Sequence, residues 1–173
     1  MALWVSEGAP AAQNIAVRIS AKADYAVRAA IVLAAASSSG PLKAEAIARS
    51  QEIPLKFLLN ILSDLKHSRI VSSHRGAQGG FQLARRASEI TVADVIRAVE
   101  GPLASIHAIL PENVRYPAPS EPLQQVWIAV RVSLRSVLEA VTIADLASGS
   151  LPESVLTLSS TPGAWTVRRR SVD

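Results

Sequence analysis

The chain has 173 residues, with 18 Lys+Arg against 14 Asp+Glu and no cysteine. This length fits one domain with an appendage or two small domains, and the lack of cysteine excludes a disulfide scaffold, a thiol nucleophile and a cysteine zinc site. No apolar stretch reaches the roughly 18 residues that span a membrane, and the start lacks the basic residues of a signal peptide, so we expect a cytoplasmic protein without a membrane partner.

The positive charge is concentrated in one part of the chain. Residues 15–100 hold 12 Lys/Arg against 7 Asp/Glu, whereas residues 101–173 hold 6 of each. Between Asp64 and Glu89 there is no acid, although several Lys, Arg and His residues fall there. A one-sided basic segment favours an anionic partner, and the alternative is an ordinary solvated face.

The first predicted helix follows a stretch in which apolar residues show no helical or strand periodicity. Residues 1–17 are therefore predicted to be a flexible N-terminal extension. Ser20 is the predicted N-cap of a helix with apolar residues at helical spacing, and the breaker run 37–41 ends that helix. A short helix is predicted from about residue 42 to residue 50.

The helix predicted over residues 54–67 has two distinct faces. Pro54 suits its first position, because the N–H of a first helical residue has no partner within the helix and proline loses nothing by lacking it. One face is an apolar stripe suited to packing, formed by Leu55, Leu58, Ile61, Leu62 and Leu65. On the other face four residues recur at helical spacing: Lys56, Leu59, Asn60 and Ser63. Packing alone would not require a lysine and an asparagine together on this face.

Two short strands are predicted after this helix. Residues 70–74 and 81–85 have strand-like composition, and the Gly-rich run 75–80 between them predicts a hairpin. Thr91 and Asp94 then form a predicted capping box that opens a further helix, which Gly101 and Pro102 end.

The last part of the chain has a different pattern. Residues 102–122 contain five prolines and are predicted to be a Pro-rich linker. From Leu123 onwards apolar residues recur at alternating spacings of four and three, which is typical of a helix that pairs with another helix. We predict a dimerisation helix over 123–148, in preference to a helix packed on its own domain, and a flexible tail over 149–173. The predicted dimer-interface residues are Leu123, Trp127, Val130, Leu134, Val137 and Val141.

Together these elements predict a mainly α fold with a small β-hairpin wing: a winged helix-turn-helix domain over 18–101 plus a long C-terminal dimerisation helix. An α-helix fits the DNA major groove, where Asn60 can bond adenine, Leu59 can touch a thymine methyl and Lys56 can reach guanine or phosphate. Arg75 in the wing can enter a narrowed minor groove. The residues predicted to hold phosphates are Lys66, Ser72, Ser73, Arg85 and Arg86.

No constellation of residues predicts catalysis. The three histidines have no spacing typical of a metal site, and the serines at 37–39 have no base at a recognisable offset. We therefore predict neither an enzyme nor a cofactor, and no catalytic or metal-binding residue.

Several segments resemble the Rrf-two family of bacterial winged helix-turn-helix transcriptional regulators. The matching segments are Arg18-Ile19-Ser20, Lys22 and 24–29 in the first helix, Ile47-Ala48, Ile53-Pro54, Phe57-Leu58, Ile61-Leu62 and Leu65 in the helix-turn-helix, the run 70–85 in the wing, and 90–95 with Glu100-Gly101. The wing segment is the most specific of them. The resemblance covers about residues 17–148, and the chain is identified as a member of this family.

The resemblance implies a homodimeric repressor or activator that binds double-stranded DNA at a pseudo-palindromic operator. It places Lys56, Leu59 and Asn60 at the bases. It places Arg75, Gly76 and Gln78 in the wing that meets DNA, and it puts Ser20, Lys22 and Tyr25 at the DNA backbone.

One departure from the family is informative. Cluster-bearing members carry cysteines just after the Glu-Gly pair, but residues 102–122 hold His107 and no cysteine. This implies a cluster-free regulator whose signal is a small molecule, a partner protein or none at all. Trp127 and Tyr116 are candidates to line a small apolar pocket, although interface packing is the favoured interpretation. The alternative function is a protein-interaction module of the same fold that regulates a partner enzyme or regulator.

Overall fold

The computed structural model describes residues 19–76, 78–106 and 109–166. The predicted extension over 1–17 lies outside the described residues, as does His107 of the linker. Within those three ranges no helix combines the length and the apolar character needed to cross a membrane.

Three helices open the fold: α1 (Ala21–Ala35), α2 (Ala44–Gln51) and α3 (Leu55–His67). The predicted N-cap of α1 is confirmed, because Ser20 Oγ accepts a hydrogen bond from the Ala23 N–H at 3.0 Å. Two details of α3 differ from the prediction. Pro54 is its N-cap rather than its first residue, and Leu55, which begins the helix, is 38% exposed instead of lying in the core.

The wing is an antiparallel pair of strands, β1 (Val71–His74) and β2 (Gly80–Leu83). Its register pairs Val71 with Leu83 at the base and His74 with Gly80 at the tip. A third segment joins the sheet through one residue, since Leu42, just before α2, forms an antiparallel bridge with Phe81. The predicted hairpin is therefore confirmed and is attached to the loop between α1 and α2.

The next helix, α4 (Val92–Glu100), closes the domain. Its predicted capping box is confirmed: Thr91 Oγ1 accepts from the Asp94 N–H at 3.1 Å, and Asp94 Oδ2 accepts from the Thr91 N–H at 3.1 Å. The hydrophobic core lies where α1 to α4 meet. Its largest fully buried members are Ile47, Leu58, Ile61, Leu62, Leu65, Ile70, Ile90 and Ile143.

The prediction of one helix over 123–148 is wrong in its second half. The structure has two helices there, α5 (Leu123–Leu138) and α6 (Ile143–Ser148). The chain leaves the helix because residues 141–143 pair with the strand-like segment before α4: the Val92 N–H donates to the Val141 carbonyl at 2.9 Å, and the Ile143 N–H donates to the Ile90 carbonyl at 2.8 Å. Val141 is only 6% exposed, so this predicted dimer-interface residue lies in the core of its own chain.

The regions predicted to be irregular contain short ordered elements. One 3-10 turn, Pro111–Asn113, interrupts the Pro-rich linker and packs against α5. A last helix, α7 (Glu153–Ser159), lies within the segment predicted as a flexible tail and has no buried residue. Helix α6, by contrast, packs closely against α1, so the end of the predicted dimerisation helix belongs to the domain formed by α1 to α4 and the hairpin.

Candidate nucleic-acid interface

The outer face of α3 carries the residues that the sequence singled out for base contacts. Lys56, Leu59, Asn60 and Ser63 are all exposed, and Leu59 keeps 45% of its surface free. The opposite face of α3 is fully buried at Leu58, Ile61, Leu62 and Leu65. A helix held by one apolar stripe therefore presents a polar face, with an apolar side chain in its middle, to the outside.

The wing begins directly at the end of α3. The Ile70 N–H donates to the Leu65 carbonyl at 2.9 Å, and Arg69, between the two elements, adopts a left-handed φ of 56° that turns the chain into β1. At the other end of the hairpin Arg75, Gly76 and Gln78 are exposed. The wing tip and the α3 face thus belong to one short, continuous stretch of the chain.

Two glycines allow the wing to close tightly. A Cβ on Gly79 would stand 2.3 Å from the His74 carbonyl oxygen, and a Cβ on Gly80 would stand 2.4 Å from the Leu42 carbonyl oxygen. No side chain fits at either separation, so only glycine allows these backbone approaches. The Gly-rich sequence of the hairpin is therefore required by its packing as well as by its turn.

The basic residues of this region fall into two groups. Four of them make neither an ion pair nor a side-chain hydrogen bond with the described part of the chain: Lys56, Lys66, Arg69 and Arg75. The other two predicted phosphate ligands are already paired, Arg85 with Asp94 at 3.4 Å and Arg86 with Glu89 at 2.5 Å. The hydrogen bond from Arg86 also holds the pKa of the Glu89 carboxyl below its ordinary value.

Two of the residues predicted to contact the DNA backbone, both at the start of α1, form hydrogen bonds and an ion pair within the fold. The Lys22 ammonium donates to the Val99 carbonyl at 2.7 Å and lies 2.9 Å from the Asp64 carboxylate. Ser20 Oγ donates to Glu100 Oε1 at 2.6 Å besides capping α1. These contacts tie α1 to α3 and α4, so the structure gives both side chains a role in holding the domain together.

Tyr25 is half-buried at the edge of the same surface. Its ring meets the ring of Phe57 edge-on, with centroids 5.8 Å apart, and the Arg28 guanidinium lies 5.4 Å from the centre of the Tyr25 ring. Arg28 is held in turn by Asp24 and by Gln51 at the end of α2. This cluster fixes the start of α3 against α1.

The two serines of β1 differ in their exposure. Ser73 is exposed and Ser72 is half-buried, since successive residues of a strand point to opposite faces. Lys43 is a basic residue that sequence reasoning missed. It is exposed and follows Leu42, which pairs with the wing, and only that long-range pairing brings it near the hairpin.

A helix-turn-helix with a hairpin wing after its second helix defines the winged helix-turn-helix class of DNA-binding proteins. The Rrf2 family model, described as an iron-dependent transcriptional regulator, matches residues 19–149. The chain belongs to the Rrf2 family of transcriptional regulators, which confirms the resemblance found in the sequence.

Individual relatives agree with this assignment. Rv1287 of Mycobacterium tuberculosis (strain ATCC 25618 / H37Rv), named provisionally as an HTH-type transcriptional regulator, is 50% identical over 141 residues, which are 82% of this chain and 88% of that protein. The HTH-type transcriptional regulator CymR of Bacillus subtilis (strain 168) is 34% identical over 131 residues, covering 76% of this chain and 90% of CymR.

Solved structures show the same architecture. The structure of CymR from B. subtilis, described as its global cysteine regulator, matches with a TM-score of 0.66 and 32% identity over 78% of this chain and 98% of that chain. IscR from T. potens matches with a TM-score of 0.64 and 30% identity, and the match covers 80% of this chain and 91% of that chain. The predicted fold class is thereby confirmed.

The iron dependence in the family description does not fit the donor atoms of this chain. Iron–sulfur clusters are held mainly by cysteine thiolates, and the sequence contains no cysteine. Among the residues that the structure describes, no three His, Asp or Glu side chains are placed to hold a metal ion together. The chain has no thiolate with which to bind an iron–sulfur cluster.

Proposed function

We propose that this protein is a cluster-free, homodimeric and sequence-specific repressor or activator. Helix α3 enters the major groove of double-stranded DNA and the wing enters the adjacent minor groove. DNA is its principal partner, and its place of action is the cytoplasm.

The observation that carries this proposal is the distribution of unpaired cations. Lys56, Lys66, Arg69 and Arg75 lie on α3, at its end or in the wing, and none has an acidic partner among the described residues. Unpaired cations beside a protruding helix are suited to a phosphate backbone, whereas paired cations such as Arg86 are already neutralised. Among residues 19–76 and 78–101 six Lys and Arg side chains have no acidic partner, and four of them lie on α3, at its end or in the wing; the other two are Lys43, which follows Leu42 beside the wing, and Arg49 on α2.

The α3 face suggests how bases are read. Asn60 presents an amide that can donate to and accept from adenine, and Leu59 presents an apolar side chain suited to the methyl group of thymine. Lys56 lies on the same face, one turn nearer the start of the helix, and can reach guanine or a phosphate. We therefore expect A·T pairs at the centre of each half-site.

Helix α5 supports the dimer. It has no buried residue, and its exposed apolar side chains include Val126 (51% exposed), which is not one of the predicted dimer-interface residues. Of the predicted interface, Leu123 is exposed and Trp127, Val130, Leu134 and Val137 are half-buried. A helix with this much free apolar surface is stabilised when a second copy covers it, and a two-fold dimer matches a pseudo-palindromic site.

The proposal is tested by selecting bound fragments from a random DNA library and measuring affinities at physiological salt. We expect a selected site to bind at least about a thousandfold more tightly than scrambled DNA. Asn60→Ala should weaken binding to that site by about tenfold or more, while Arg49→Gln, on the exposed end of α2, should leave it unchanged. Equal affinity for selected and scrambled DNA would contradict the proposal, and a stable complex with another protein instead would favour the interaction-module alternative.

A further inference from the structure

A cleft of about 440 Å³ lies between the end of α4, the segment after it and α5. Three arginines line it, Arg97 from α4 and Arg131 and Arg135 from α5, together with Glu112. Its volume is within the range of sites for small molecules, about 300–1,000 Å³. Its lining residues come from α4, the segment after α4 and α5, and include none from α3 or the wing.

The cleft has an excess of hydrogen-bond donors. Arg131 is only 14% exposed, and its Nε is buried without an acceptor among the described residues. Its Nη1 is bonded to the carboxylate of Glu112, which is the single acid among the lining residues. An arginine nitrogen can donate but cannot accept, so the unsatisfied group calls for an oxygen acceptor.

The neighbouring arginines add positive charge that is only partly balanced. Glu139 pairs with Arg97, but it lies 3.9 Å from Arg135 Nε, which is too long for a hydrogen bond. Arg135 also remains about half exposed, whereas Arg131 is 14% exposed, so Arg135 is the more accessible of the two to a ligand from solvent. An incoming anion would therefore meet an accessible guanidinium and a buried, unsatisfied N–H.

The remaining lining is aliphatic. Leu103 is buried, and Leu110 and Pro102 contribute further apolar surface, with no aromatic side chain among the lining residues. A flexible alkyl chain suits such a lining better than a flat ring, which is usually held by aromatic side chains. Tyr116 and Trp127, the residues that the sequence suggested for a pocket, do not line this cleft.

We propose that this cleft binds a medium-chain aliphatic carboxylate, with the carboxylate on Arg131 and Arg135 and the alkyl chain against Leu103 and Leu110. The carboxylate takes the place of Glu112 as the acceptor for Arg131. This binding concerns the protein alone and does not depend on contact with DNA.

The test is isothermal titration calorimetry of the DNA-free, full-length protein with octanoate. We expect saturable octanoate binding, no comparable binding of octanol, which has the chain without the charge, and none of inorganic phosphate, which has the charge without the chain. Arg131→Gln and Arg135→Gln should each weaken octanoate binding by about tenfold, because each removes a charged hydrogen-bond donor. Arg49→Gln is the matched control and should bind octanoate as the wild type does.

Glu112→Gln separates a binding role from general damage to the fold. Removing the competing carboxylate frees Arg131, so this variant should bind octanoate several-fold more tightly, whereas structural damage would weaken binding. The proposal is overturned if the wild type does not bind octanoate, if octanol binds equally well, if both arginine variants bind as the wild type does, or if Glu112→Gln weakens binding.

Discussion

Leu42 and Phe81 exchange two backbone hydrogen bonds, although they are far apart in the sequence. The Leu42 N–H donates to the Phe81 carbonyl at 2.8 Å, and the Phe81 N–H donates to the Leu42 carbonyl at 2.7 Å. This pairing fastens the wing to the segment that enters α2. The hairpin is therefore held at a fixed position relative to the helix-turn-helix, as the proposed contacts with two adjacent grooves would require.

The first prediction concerns the glycine beside this pairing. In Gly80→Ala the new Cβ would stand 2.4 Å from the Leu42 carbonyl oxygen, so the wing must separate from Leu42. We expect a loss of about 1–3 kcal/mol in the free energy of unfolding, measured by urea denaturation, and weaker DNA binding. Gly149→Asn is the control, because Gly149 has open space and a left-handed conformation that Asn tolerates. Equal losses in the two variants would contradict the steric explanation.

A second prediction tests the break between α5 and α6. Thr142 Oγ1 accepts from the Asp145 N–H at 3.1 Å and caps α6, which buries Ile143 in the core. Thr142→Ala should lower the free energy of unfolding by about 1 kcal/mol, as expected for a lost cap. Thr157→Ala in exposed α7 should change it by less than about 0.5 kcal/mol. If 123–148 were one continuous helix, Thr142→Ala would be neutral or stabilising.

A third prediction is the pH dependence of the same cap. The Thr142 hydroxyl and backbone N–H donate to the Asp145 carboxylate, and they hold the pKa of that carboxyl below its ordinary value. The folded state thus favours the charged form, so this stabilisation is complete above the unfolded pKa and disappears as the pH falls through the folded pKa. Wild type should be more stable than Asp145→Asn near neutral pH, and the difference should shrink as the pH falls below the ordinary pKa of an Asp carboxyl, 3.8. Urea denaturation across this pH range measures it, and a constant difference would contradict the assignment.

A fourth prediction concerns the dimer. Val130→Asp places a charge on the α5 face that we assign to the partner, so we expect a folded monomer in sedimentation equilibrium at concentrations where the wild type is a dimer. Ser154→Asp, an exposed change on α7, should leave the dimer intact. A wild-type monomer, or a Val130→Asp dimer of unchanged stability, would contradict the proposed interface.

Local signals in the sequence were sufficient for α3, the wing and two caps. The buried stripe of α3 follows from its helical spacing, and Ser20 and the Thr91–Asp94 pair cap their helices through contacts three residues apart. Such contacts are set by neighbours in the chain, so they can be predicted without the fold.

The end of α5 was mispredicted because one pattern obscured another. Apolar residues continue at heptad spacing through Val141, yet Thr142-Ile143-Ala144-Asp145 repeats the capping pattern of Thr91-Val92-Ala93-Asp94. The second capping box was a readable signal for a new helix. The pairing of Ile143 with Ile90, by contrast, depends on the tertiary fold.

It could not be predicted either which basic residues form ion pairs and hydrogen bonds within the fold. Lys22 meets Val99 and Asp64, and Arg85 meets Asp94, across distances in sequence that only the packed helices close. Charge composition alone therefore overstated how many cations are free for DNA.

Footprinting of the wild type and Arg75→Ala on a selected operator tests the central claim most directly. We predict two symmetric half-sites whose centres are about one helical turn, or a multiple of it, apart. In Arg75→Ala the hydroxyl-radical protection of the minor groove should be lost while dimethyl sulfate protection of major-groove guanines remains. Arg86→Ala, whose guanidinium is already bonded to Glu89, should keep both. A single unsymmetric patch, or minor-groove protection that survives Arg75→Ala, would contradict the account.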